Sequence, residues 1–189
     1  MSTARRPQVI VVTDGDPTAW EAVKTAAEDL GLIPIAASRG NPTPGSAEDI
    51  VRAIGKTDGD PVVVLVDDQG DAGPGAGERV LDRILHAPDL DVLGVVAVAS
   101  HTPGVRGVKT VLSVTRSGDR VEGAVDKEGR PTDGRLHGDT VDVVEDSRVP
   151  VVGLGDPGKM DGGDAAERGF PVTREALRAV LEQVRHQAH

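Results

Sequence analysis

Two aspartates separated by a glycine, Asp14-Gly15-Asp16, follow an apolar run at 9–12 and stand directly before Pro17 and a helical pattern. A pair, Asp67-Asp68, follows a second apolar run at 61–66, and Asp156 follows a third, "RVPVVGLG". In an open parallel sheet every strand delivers its C-terminal end to one edge, and ligands bind there. The residues due at that edge are Asp14, Asp16, Ser38, Asp67, Asp68, Ser100, His101 and Asp156, with Lys159 shortly beyond. Carboxylates from different strands supply the oxygen ligands that a hard cation takes. Asp14, Asp67 and Asp68 are therefore a candidate Mg²⁺ or Ca²⁺ site. Asp14, Asp16, Asp67, Asp68, Ser100, Asp156 and Lys159 form the wider candidate ligand-binding set, with no residue assigned as catalytic. The competing reading gives each acid a local structural role, with Asp16 as a helix N-cap, Asp14 as a turn residue and Asp67-Asp68 as the start of a loop.

Other motifs are weaker. "GLGDPGKM" at 153–160 fits a phosphate-cradling loop up to its lysine, but Met160 replaces the hydroxyl that would meet Mg²⁺ and Pro157 removes a backbone donor. A plain Gly/Pro turn with Lys159 at the sheet edge is the simpler reading. "GDAGPGAGE" is too glycine-dense for a dinucleotide fingerprint and reads as a connector, or as a lid over the crevice. His101 stands where a general base could stand, without a cysteine or a serine elbow beside it. An acid after the first strand and an acid pair after a later one also resembles phosphotransfer domains of the topoisomerase-primase type.

The elements that must position these residues alternate. The run at 9–12 is β-branched throughout, as a strand buried on both faces requires. Asp16 and Pro17 then open a helix with Trp20, Val23, Ala27 and Leu30 on one face, closed by Gly31. "LIPIAAS" is the second strand, followed by a helix capped by Ser46. "PVVVLV" is the third strand, followed by a helix over 78–87, and residues 92–99 are the fourth. This alternation predicts right-handed parallel crossovers and a three-layer, Rossmann-like, doubly wound α/β fold with a mainly parallel sheet of about five strands. An antiparallel hairpin is expected over about 110–130, a short helix capped by Asp139, a late strand in "RVPVVGLG", and a C-terminal helix over about 174–186 capped by Thr173.

Composition sets limits. The 189 residues suffice for one core, so one domain over 1–189 is expected. With one Trp, one Phe and no Tyr, that core must be aliphatic and lacks aromatic platforms for stacking bases. A net charge of -10 repels phosphate backbones and anionic lipid, so nucleic acid is not expected, and the longest apolar stretch, 92–99, is too short to span a bilayer, so direct membrane insertion is not expected. The start "MSTARRPQVIVV" has a leader-like look, but its apolar run is too short for a signal peptide. The absence of cysteine rules out disulfides and thiolate chemistry.

In order along the chain, "VIVVTDGD", "SRGNPTPGSAEDIV", "VVVLVDDQGDAGPGAGE", "DVLGVVAVAS", "GDTVDVV" and "GDPGKMDG" resemble the soluble stage V sporulation protein AE family of spore-forming bacteria. The resemblance runs from about Val9 to the C-terminal helix. It implies an accessory or ligand-binding subunit of the machinery that moves dipicolinic acid, as its calcium chelate, during spore formation and germination. It further implies partners among the other stage V proteins, including the membrane-spanning channel components, and a place in the developing spore, soluble or held at the inner membrane by those partners. The family has no established catalytic residues to carry over. The alternative from the residues themselves is a Mg²⁺-dependent phosphoryl-transfer or nucleotide-handling enzyme using Asp14, Asp67 and Asp68, with Lys159 near an anionic group.

Overall fold

A computed structural model describes residues 5–70 and 74–188. The first part of the leader-like start and the middle of the glycine-rich connector lie outside the described residues. The elements are β1 (Gln8–Val12), α1 (Pro17–Asp29), β2 (Ile33–Pro34), α2 (Ala47–Gly55), β3 (Val62–Leu65), α3 (Ala76–Leu85), β4 (Asp91–Val98), β5 (Leu112–Val114), β6 (Arg120–Val121), β7 (Ala124–Val125), β8 (Pro131–Thr132), β9 (Val151–Leu154) and α4 (Pro171–Gln187). Seven strands form one sheet in the order β2-β3-β1-β4-β9-β5-β6. All neighbours pair in parallel except β5 and β6. The fold is α/β with a mainly parallel sheet, as the alternation predicts.

Burial explains why β1 has no polar face. Val9 and Val11 pack into the layer under α2 and α3, and Ile10 and Val12 into the opposite layer under α1 and α4. Each layer is aliphatic, with Trp20 at the margin of the α1–α4 side. The fit of α4 is tight: a Cβ on Gly94 of β4 would lie 2.8 Å from Val180 Cγ1.

Several boundaries depart from expectation for local reasons. The "LIPIAAS" stretch pairs only at Ile33–Pro34 and then turns into a 3₁₀ segment, Ala36–Ser38. There the Ser38 hydroxyl donates to Ile35 O at 2.6 Å and accepts Leu65 N–H at 3.0 Å, so a side chain takes over the pairing that the backbone leaves. The antiparallel part is larger than one hairpin. β5 is a parallel neighbour of β9 in the main sheet, β6 pairs with it, and β7 forms a separate ribbon with β8. "GDTVDVVED" makes only a 3₁₀ turn, Asp142–Val144, and Asp139 does not cap it. Thr173 lies inside α4 rather than at its cap; the buried Asp164 accepts the N–H groups of Val172 and Thr173 at 2.8 and 2.9 Å.

Candidate functional site

The direction of strand addition reverses around β1, which lies between β3 and β4, with helices on opposite faces. At the C-terminal edge of this switch point is an open cleft of about 190 Å³. Asp14 and Asp16 enter it from β1, Asp67 from β3, Ser100 and His101 from β4, and Asp156 from β9.

The turn after β1 is held by its neighbours. Gly15 N–H donates to Asp67 Oδ2 at 3.0 Å, and Gly15 O accepts Gly40 N–H at 2.9 Å. A Cβ at Gly15 would come within 2.2 Å of Gly40 O, so only glycine lets the loop after β2 close on the turn. Asp16 caps α1: its Oδ1 accepts Ala19 N–H at 2.7 Å. Its carboxylate still belongs to the cleft, because Asp14, Asp16 and Asp156 each offer an oxygen within 4.8 Å of the others.

The structure therefore groups Asp14 with Asp16 and Asp156, not with Asp67 and Asp68. Asp67 is buried, and its two oxygens are bonded to Gly15 N–H and, at 2.8 Å, Gln69 N–H. Asp68 faces away from the trio. It accepts Gly77 N–H, Glu78 N–H and the Thr140 hydroxyl at 2.7, 3.0 and 2.9 Å, which makes it the cap of α3. Ser100 Oγ accepts Asp139 N–H at 3.2 Å and meets Thr102 Oγ1 at 2.9 Å. Ser38, expected at the edge, is buried in the 3₁₀ segment after β2, bonded to β3.

Charge is concentrated here. Burial pushes the Asp14 carboxyl up to about 8, with Asp16, Asp67 and Asp156 adding repulsion against one backbone hydrogen bond from Asp16. Burial pushes Asp67 up to about 6, against its two backbone hydrogen bonds and with the help of Asp139 and Asp16. Asp139 is raised as well, by burial first. Lys159 places its Nζ 3.0 Å from Asp156 Oδ2 and 3.8 Å from Asp16 Oδ2. Partial burial works against its charge, but the bond to Asp156 and the nearby acids outweigh it, and its pKa is raised.

Residues 153–160 do not form a phosphate cradle. β9 ends at Leu154, no α-helix follows until α4, and Gly158 N–H is taken by Asp164 Oδ2 at 2.7 Å. Lys127 is an addition to the site that the sequence does not announce. The Lys127 carbonyl accepts Asp156 N–H at 2.7 Å, and its side chain lines the cleft.

The family profile described as Stage V sporulation protein AE1 matches residues 8–184, nearly the whole chain. The chain belongs to that family. Membership of the stage V AE1 family assigns it a role in sporulation. No curated protein and no solved structure matches the chain. Among the described residues, no helix is long and apolar enough to cross a membrane.

Proposed function

We propose that the chain is an accessory, ligand-binding subunit of the sporulation machinery that moves dipicolinic acid as its calcium chelate, and that the β1–β4–β9 cleft is its ligand site. The observation that carries this reading is the convergence of Asp14, Asp16 and Asp156 within 4.8 Å, supported by the match to the family. Three carboxylate oxygens suit Ca²⁺ or Mg²⁺, which take oxygen donors and keep part of their water shell. Asp67 supports the trio from behind by holding the Gly15 turn, and Lys159 balances its charge until a cation arrives. Other stage V proteins of the channel assembly are the partners, and they hold the subunit at the inner spore membrane.

A second reading, Mg²⁺-dependent phosphoryl transfer or nucleotide handling, draws on one observation: Lys159 stands beside the acids, where it could meet a phosphate oxygen. Thermal-shift titration separates the two. Stabilisation by Ca²⁺ and by Ca²⁺ with dipicolinate, but not by nucleotides, supports the transport subunit. Stabilisation by Mg²⁺ with a nucleotide, accompanied by turnover, supports the enzyme. No shift with either cation at millimolar concentration would remove the metal from both readings.

A further inference from the structure

Beside the acidic cleft lies a second cavity, of about 240 Å³, with the opposite balance of charge. His101, Lys127, Arg135 and His137 line it against two acids, Asp126 and Asp133, in a chain whose net charge is -10. His101 and Lys127 line both cavities, so the two adjoin. The fold gathers the basic groups from separate segments. Ser100 N–H donates to His137 O at 2.9 Å, which ties the stretch holding His137 to the end of β4 and so to His101. The His137 ring rests on Gly107, where a Cβ would lie 3.1 Å from its Cδ2. Lys127 stands in the turn joining β7 to β8. That turn closes through Gly129 N–H on Asp126 O at 2.9 Å, and the bond from Asp156 N–H to Lys127 O fixes it to the end of β9. The small ribbon of β7 and β8 thus carries a lysine to the sheet edge.

What these groups can hold depends on their present partners. Among the described residues, His86 is the only histidine with a side-chain hydrogen bond or ion pair. The Lys127 ammonium stands 3.8 Å from Glu128, beyond hydrogen-bond distance, so its donors remain available. Arg135 differs: its Nε and Nη2 donate to the carbonyls of Arg106 and Gly107, and Glu145 stands 2.6 Å from Nη2. Asp126 accepts Arg130 N–H at 2.9 Å. A planar carboxylate is matched by a guanidinium fork, and here that fork is taken. The donors left are point groups on three segments, an arrangement that suits the differently directed oxygens of a tetrahedral anion. We propose that this cavity is a phosphate subsite in which His101, Lys127 and His137 hold the oxygens of inorganic phosphate or of a small phosphate monoester. It goes beyond both functional readings, neither of which uses these three side chains.

With five histidines in the chain, the imidazole NMR signals of the intact, isotopically labelled protein read the site directly. Inorganic phosphate and glycerol phosphate are titrated without added metal at about pH 6.5, below the value of about 8 to which Asp14 is raised, so that less negative charge faces the anion from the adjoining cleft. Saturable shifts of His101 and His137, with His86 and His186 unmoved, are the expected result. Lys127→Gln should raise the Kd roughly tenfold or more. Lys127 holds its turn through its backbone, so that variant should keep the fold, which circular dichroism checks. Tighter binding of the ester would support a phosphorylated small molecule as the occupant, and tighter binding of inorganic phosphate the free ion. Equal shifts with acetate at matched ionic strength would overturn the phosphate class. Shifts spread over all the histidines, no saturable shift at millimolar phosphate or ester, or affinity unchanged in Lys127→Gln would overturn the subsite.

Discussion

Asp14 holds its proton at pH values where a free carboxyl has lost it, and this has a signed effect on stability. Its folded pKa of about 8 lies above the ordinary 3.8, so across that window the folded state binds a proton that the unfolded chain has released. The contribution of Asp14 to stability is therefore fully present below 3.8, is lost as pH rises towards about 8, and levels off above; Asp67 adds the same trend up to about 6. Asp14→Asn should raise the melting temperature at pH 8 by at least about 2 °C and leave it unchanged near pH 4, as calorimetry at the two pH values would show. A loss at pH 8 would mean that the charged form stabilises the fold. Because a cation must displace that proton, Ca²⁺ affinity should climb between about pH 6 and pH 8, and Asp14→Asn should abolish it. Asp16 behaves oppositely: Asp16→Ala leaves the Ala19 N–H without its side-chain acceptor and should cost about 0.5–2 kcal/mol in urea unfolding.

At the scale of elements, helix starts divide into those a reader of the sequence can find and those that only the fold reveals. Asp16 and Ser46 cap helices that begin at the next residue, so cap and apolar stripe are adjacent and legible. Asp68 and Asp164 cap α3 and α4 across separations of 9 and 8 residues. No local pattern marks them, and Asp164 in "DGGDAAERGF" looks like loop. Asp164 is fully buried and satisfies Gly158, Val172 and Thr173 at once, so Asp164→Ala should cost about 3 kcal/mol or more, read from the urea midpoint at unchanged slope. The alternation of strands and helices was legible because the strands are short continuous apolar runs and the helices carry apolar stripes at helical spacing. The fate of the hairpin region was not, since β5 looks the same in sequence whether it decorates the sheet or joins it.

For the molecule as a whole, strand order decides which acids meet. In sequence Asp14, Asp67, Asp68 and Asp156 are all strand-end residues, but the placing of β9 beside β4 brings Asp156 to Asp14, while Asp68 is engaged by the first N–H groups of α3. The net charge of -10 and the absence, among the described residues, of a membrane-crossing helix lead to one bulk prediction. With protein-free anionic vesicles at physiological salt the chain should stay in the supernatant, and cosedimentation would contradict partner-dependent attachment. The position of β9 also constrains how the chain is made. β4 and β5 leave the ribosome well before Val151–Leu154 yet have no contact in the sheet except through that strand. At synthesis rates of about 5–20 residues per second, β4 waits seconds with one edge bare, a template for pairing with another chain. A nascent chain stalled before Val151 should therefore aggregate more readily than one in which β9 has already paired.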